Sequence, residues 1–184
     1  YCGYIDSNTL RAGYPESKRC GEALCQAYKK QENLDVVIPR FTRTYGPTML
    51  KTDTKAISQF IKKAVDGENI VLKSAGTQYY SYTYVADAVT GFLTVLLKGE
   101  SGEAYNIADE ASDIMLKDLA KIIADFAGKE VVFELPDETE KSGYSKATKA
   151  RLDGSKLKKL GWKARYDIKQ GLERTMKMLI EING

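Results

Sequence analysis

Residues 13–47 read GYPESKRCGEALCQAYKKQENLDVVIPRFTRTYGP, and the fold class turns on how that stretch divides. Pro15, with Glu16 and Ser17 behind it, opens a helix with proline in the first turn. Ala23, Leu24, Ala27 and Tyr28 carry it onward, which predicts a helix over 16–31. The apolar run 34–39 reads as a short buried strand, with Pro39, which has no N–H, at its end. Residues 40–50 contain Tyr45-Gly46-Pro47 and read as a loop.

Outward from there, helical and extended segments alternate. Residues 54–65 are amphipathic, with Ile57, Phe60, Ile61 and Ala64 on one face. A strand is expected at 69–73 and a strand or extended loop at 79–84. A helix follows over 85–97, periodic through Val89, Phe92, Leu93 and Leu96, and then a strand at 104–107. A helix over 116–126 stops at Gly128, a strand follows at 131–135, and 136–150 is a polar loop. Helices at 155–160 and 168–182 flank Gly161-Trp162, with Trp162 expected in the core. This alternation is α/β organisation, without internal repeat, low-complexity linker or clean domain boundary.

Composition narrows the chemistry. The 184 residues include no histidine, which removes histidine triads, carbonic-anhydrase-like zinc and any histidine general base. Cys2, Cys20 and Cys25 fit neither a disulfide framework nor a zinc site, and point to a reducing cytosol. No metal site is expected. No apolar run reaches the roughly 18 residues of a membrane span, and no secretory signal opens the sequence. The net charge of +3 conceals a division into +4 over residues 1–99, −9 over 100–140 and +8 over 141–184. In the basic stretch, lysines interleave with Leu157, Leu160, Leu172, Met176, Leu179 and Ile180 at helical spacing, as on the wet face of an amphipathic helix. No nucleic-acid module accompanies that charge, so nucleic-acid binding is not expected. The acidic stretch lacks calcium-loop spacing and reads as solvated surface.

Chemistry must then come from Tyr, Lys, Ser/Thr, carboxylates or a borrowed cofactor, and the chain has twelve tyrosines. Tyr14 and Lys18 stand one helical turn apart and share a face. A lysine ammonium near a phenol lowers its pKa from about 10 toward neutrality, which makes Tyr14 a candidate acid/base without histidine. A solvated lysine beside a half-buried tyrosine is the alternative for the same spacing.

The run Gly13-Tyr14-Pro15-Glu16-Ser17-Lys18-Arg19, followed by Glu22-Ala23-Leu24 and by Val36 through Arg40-Phe41-Thr42-Arg43-Thr44-Tyr45-Gly46-Pro47, is joined by three later segments. These are Ser81-Tyr82-Thr83-Tyr84-Val85-Ala86-Asp87, then Gly102-Glu103-Ala104-Tyr105-Asn106-Ile107, and finally Asp153, Ser155-Lys156 and Leu160-Gly161-Trp162. In this order, over nearly the whole chain, they resemble the extended short-chain dehydrogenase/reductases, and within them the nucleotide-sugar epimerase, dehydratase and decarboxylase group. The resemblance implies the C-terminal part of a Rossmann-type NAD domain in residues 1–48. Residues 49–184 would be mainly a smaller α/β domain that binds a sugar nucleotide. It implies an NAD-dependent nucleotide-sugar epimerase/dehydratase, dTDP-glucose 4,6-dehydratase-like or UDP-glucuronate decarboxylase-like, that oxidises a sugar hydroxyl to a keto intermediate.

By the same resemblance Tyr14 matches the catalytic tyrosine that takes the hydroxyl proton, and Lys18 the lysine that binds the nicotinamide ribose and acidifies the tyrosine. Pro39, Arg40 and Phe41 fall near the nicotinamide and the next few residues near the sugar. The Ser or Thr partner is expected upstream, since Ser7 and Thr9 stand too close to Tyr14. No G-x-G-x-x-G or G-x-x-G-x-x-G run occurs. The first half of the enzyme is therefore expected to lie outside this sequence, and this portion alone to be inactive. Relatives dimerise through the helix of the Tyr/Lys pair, where Ala23, Leu24 and Ala27 offer a face. A cytoplasmic homodimer without membrane attachment is the expectation.

Two positions depart from the family pattern. Many relatives carry Asn where this chain has Arg43, and an arginine there could clamp a phosphate or carboxylate bidentately or pair with a surface carboxylate. Relatives often place an arginine on the nucleotide diphosphate two residues after the Gln of Gly76-Thr77-Gln78, where this chain has Tyr80. Tyr79, Tyr80, Tyr82 and Tyr84 could stack on a base or sugar, or form a strand with aromatics packed on both faces. Arg151, with Lys73 behind it, is the candidate replacement on the diphosphate. The departures also motivate an alternative, a non-catalytic relative that binds a nucleotide sugar or a protein.

Overall fold

The computed structural model describes residues 6–9, 12–134 and 148–183. Helix α1 (Gly13–Glu32) holds Pro15 in its first turn and Lys29 and Lys30 in its last, where cations meet the negative end of the helix dipole. It ends at Asn33, one of the few side chains that tolerate the left-handed conformation (φ 52°) adopted there.

Strand β1 (Ile38–Phe41) begins four residues later than the apolar run suggests. A partner far along the chain decides its register. β5 (Ala104–Ile107) pairs with it in parallel, Ile38 opposite Ala104 and Phe41 opposite Ile107. Ile38 donates its N–H to the Glu103 carbonyl at 3.0 Å. Ile38 and Arg40 therefore direct their backbone groups toward β5. Pro39, inside the strand rather than at its end, turns its donorless nitrogen to the opposite edge. Among the described residues nothing else pairs with β1.

The stretch 40–50 is not all loop. It contains β2 (Arg43–Tyr45), parallel to β4 (Tyr79–Tyr84) with Arg43 opposite Tyr82. On the far edge of β4 runs the antiparallel β6 (Asp113–Met115), and β8 (Lys149–Ala150) pairs in parallel with the first two residues of β4. Three- and two-residue strands carry almost no periodic signal, and neither is legible in the sequence. β3 (Ile70–Leu72) pairs in parallel with β7 (Val131–Phe133).

The main core lies between this framework and three helices. In α2 (Ala56–Val65), Ile57, Phe60, Ile61 and Ala64 are buried, as their spacing predicts. They meet Leu119, Ala120, Ile123 and Ala124 of α4 (Leu116–Ala127) and Leu172 and Met176 of α6 (Ile168–Asn183), around Tyr80, Tyr82 and Tyr84. α4 stops at Gly128 in the left-handed region (φ 63°). A smaller cluster joins Val95, Tyr105, Ile107 and Trp162 to Leu157 of α5 (Ser155–Lys159).

α3 (Val85–Lys98) inverts the expected pattern. The side chains that set its period, Val89, Phe92, Leu93 and Leu96, are exposed, and the buried ones are Asp87, Ala88, Gly91 and Val95. Small residues bring this helix close to the strands: a Cβ on Gly91 would stand 2.6 Å from Ile107 Cγ2. The Asp87 carboxylate accepts the N–H groups of Arg165 and Tyr166 (2.9 and 3.1 Å), tying the α5–α6 connection to the start of α3. No helix among the described residues is long and apolar enough to cross a membrane.

Candidate functional site

Hydrogen bonds fix the direction of α1. Toward its C-terminal end Gln26 Nε2 and Lys29 Nζ donate to the Gly102 and Ser101 carbonyls at 2.7 Å, just before β5, and the Gly102 N–H reaches Val36 O just before β1. Closer to its start, Glu22 accepts two hydrogen bonds from Arg40, at 2.7 and 2.5 Å. α1 therefore runs antiparallel to β1. With a rise of about 1.5 Å per residue, its first two turns carry Tyr14 and Lys18 toward the carboxyl end of the strand, where ligands of open α/β sheets bind.

Tyr14 is 73% exposed and Lys18 Nζ lies 5.4 Å from its ring centre. The structure brings these two side chains together on an exposed face of α1. Arg40 is differently placed: its guanidinium is committed to Glu22, whose carboxyl it holds below the usual value of 4.5, and its backbone is paired with β5. Pro39 and Phe41 alternate to the α3 side, where Phe41 stacks on Phe92 at 6.4 Å.

Immediately after β1, Thr42 Oγ1 lies 2.6 Å from Thr83 Oγ1, and Thr83 donates to the Ile107 carbonyl at 3.2 Å. With its proton used there, Thr83 accepts from Thr42. This hydroxyl chain links the residue after β1 to β4, across 41 residues, and β4 to the end of β5, contacts that no sequence spacing announces.

Arg43 lies flat on Tyr80, its Cζ 3.6 Å from the ring centroid. Tyr80, Tyr82 and Tyr84 share one face of β4 and are buried (8%, 2% and 4% exposed), so they serve the core rather than offer open stacking platforms. Burial pushes the Tyr82 phenol up to about 12, against the opposing pull of the Arg43 charge. Arg151 goes elsewhere: its guanidinium lies 5.0 Å over Tyr79 and 3.8 Å from Asp113, whose other oxygen accepts from Ser81 Oγ at 2.6 Å. Because Tyr79 and Tyr80 alternate, Arg43 and Arg151 stack on opposite faces of β4. Lys73 sits just past β3, in the turn that leads through Gly76 (φ 65°) into β4. The structure thus joins Tyr14 to Lys18 and Arg43 to Tyr80, while Arg151 joins Tyr79 and Asp113.

The chain has known relatives. The family model for the NAD dependent epimerase/dehydratase family matches residues 5–108. The chain is 30% identical over 180 residues to UDP-glucuronic acid decarboxylase 1 of Xenopus tropicalis, covering 96% of this chain and 41% of that one. The structure of UDP-glucose 4-epimerase from Thermotoga maritima, solved with UDP-glucose, superposes with a TM-score of 0.82 at 23% identity, over 93% of this chain and 54% of that one. A dTDP-glucose 4,6-dehydratase from Bacillus anthracis in complex with NAD gives 0.77 at 23%, over 98% and 58%. The fold is the Rossmann-like α/β architecture of these enzymes, and the chain spans about half the length of the relatives it matches.

Proposed function

Because the chain belongs to the NAD dependent epimerase/dehydratase family, we propose that it supplies the Tyr/Lys pair and the substrate side of an NAD-dependent nucleotide-sugar epimerase, dehydratase or decarboxylase. The observation that carries this reading is the Tyr14–Lys18 pair, exposed together at the start of α1 and directed to the carboxyl end of β1. Residues of the right chemistry for NAD stand at that end: a phenol, an ammonium to donate to ribose hydroxyls, and the apolar Pro39 and Phe41 to flank a nicotinamide. NAD bound there supplies a hydride acceptor for a sugar carbon.

The protein's own part is to hold the sugar and manage a proton. The Tyr14 oxygen takes the proton of the sugar hydroxyl, with the Lys18 ammonium standing beside its ring. Arg43, with Tyr80 beside it, supplies positive charge for an anionic substrate and Lys73 is a second candidate, whereas Arg151 stands on the opposite face of β4 against Asp113. Residues 1–48 belong to the nucleotide-binding side and 49–184 mainly to the sugar-nucleotide side. The name of the Xenopus relative makes UDP-glucuronic acid the first substrate to test.

α1 buries none of its residues, and Leu24 and Tyr28 are more than half exposed, which supports a homodimer built on this helix. Leu24→Glu is expected to convert dimer to monomer in size-exclusion chromatography with light scattering. A variant that stays dimeric removes α1 from the interface.

The catalytic reading is tested with Tyr14→Phe in the full-length protein. Formation of the keto product is expected to fall by roughly 10²–10⁴-fold, with NAD content and melting temperature unchanged. Turnover equal to the parent protein would overturn the assignment.

A further inference from the structure

Arg40 and Arg151 each close onto a carboxylate, Glu22 and Asp113. Arg43 has no hydrogen bond or ion pair among the described residues, although it is half-buried. Its contact is the face of Tyr80, at 3.6 Å. A guanidinium stacked on a ring keeps its N–H groups in its own plane, parallel to the ring, so the stack uses none of its five donors. The stack fixes the tilt of that plane, and with it the direction in which the donor fork opens. A flexible side chain becomes a preset receptor for two oxygens of one anion.

Tyr80 is poorly placed to touch a ligand itself. It is 8% exposed and belongs to the core beneath Tyr82 and Tyr84. Arg43 stands at the first residue of β2, two residues beyond the end of β1. That is the same end of the sheet to which α1 directs Tyr14 and Lys18.

Building on the nucleotide-sugar reading, we propose that Arg43 is the oxyanion fork of the substrate site and that Tyr80 is a positioning residue that acts through Arg43. The anion is a phosphoryl or carboxylate group of the sugar nucleotide, chemically equivalent to a guanidinium fork. Arginine is required at position 43, because a lysine can neither lie flat on the ring nor offer two parallel donors. At position 80 the stack requires a ring.

The test measures Kd by calorimetry on the full-length protein with NAD, using UDP, UDP-glucose and UDP-glucuronic acid, with inorganic pyrophosphate as a nucleotide-free probe. Arg43→Lys and Tyr80→Leu are each expected to weaken the UDP ligands by about 10-fold or more, and Tyr80→Phe by less than about 2-fold. In an Arg43→Ala background, Tyr80→Leu should add nothing further. Circular dichroism and NAD content report whether each variant is folded, and Arg43→Lys decides the matter if Tyr80→Leu is not.

If the anion is the diphosphate, all three UDP ligands weaken alike. If it is the carboxylate, only UDP-glucuronic acid does. Either result supports the fork. Tyr80→Leu and Arg43→Ala effects that add independently, or Arg43→Lys binding every ligand as the parent does, overturn it. Parent protein that binds pyrophosphate through Arg43 but no UDP ligand leaves the fork standing and removes the nucleotide-sugar reading instead.

Discussion

The two halves of the molecule close their hydrophobic surfaces to different degrees. Around β4, the helices α2, α4 and α6 meet over side chains such as Leu119, Ile123 and Met176 that are entirely buried. Around β1 and β5, α1 buries nothing and α3 turns Val89, Phe92, Leu93, Leu96 and Leu97 to the outside. A parallel strand pair with bare helix faces is seldom self-sufficient, because parallel sheets are covered on both sides in stable domains. The first half is held by an extensive packed core, and the second, where the Tyr14–Lys18 pair sits, combines the small cluster of Val95, Ile107 and Leu157 with polar ties such as Glu22–Arg40 and Asp87 with the 165–166 backbone.

The contrast can be broken by mutation. Leu119→Ala, which empties a fully buried site between α4 and its neighbours, is expected to cost about 2–5 kcal/mol in denaturant unfolding. A cost below 1 kcal/mol would mean that the packed half is looser than its burial indicates.

A smaller effect is expected at Glu22. Its carboxyl lies below its ordinary value of 4.5 because of Arg40. The stabilisation is therefore complete above that value and is lost as pH falls through the depressed one. Both side chains are partly exposed, so solvent screening limits the contribution to under about 1 kcal/mol. Glu22→Gln should lower stability at pH 6 and make no difference once the parent carboxyl is protonated.

The smallest effect is expected at Leu96→Gln on the bare side of α3, within about 0.5 kcal/mol of the parent. A loss comparable to that of Leu119→Ala would show that this face is covered and that the two halves are alike.

The same contrast explains what the sequence made legible. Helix periods, Gly128 as a stop, Trp162 in the core and the Tyr14–Lys18 pair are local features, visible within a turn or two of chain. Periodicity locates α3 but does not say which stripe is covered, since Val89 and Phe92 obey the same spacing as Ile57 and Phe60. β1 was displaced from its apolar run by pairing with residues 104–107. The Arg43–Tyr80 stack joins strands whose contact depends on a diagonal across a parallel register. Burial of Tyr82 and Tyr84 in turn depends on α2 and α6 arriving from elsewhere.

Pro39 has a consequence of its own. An unpaired strand edge is a template on which other chains can add, and each N–H it presents is an invitation to do so. Along the open edge of β1 the nitrogen of Pro39 presents none, in a strand of four residues. Edge-to-edge recruitment therefore meets an interrupted ladder at its middle, and whatever aggregation this half of the molecule is prone to should proceed through the apolar side of α3 instead.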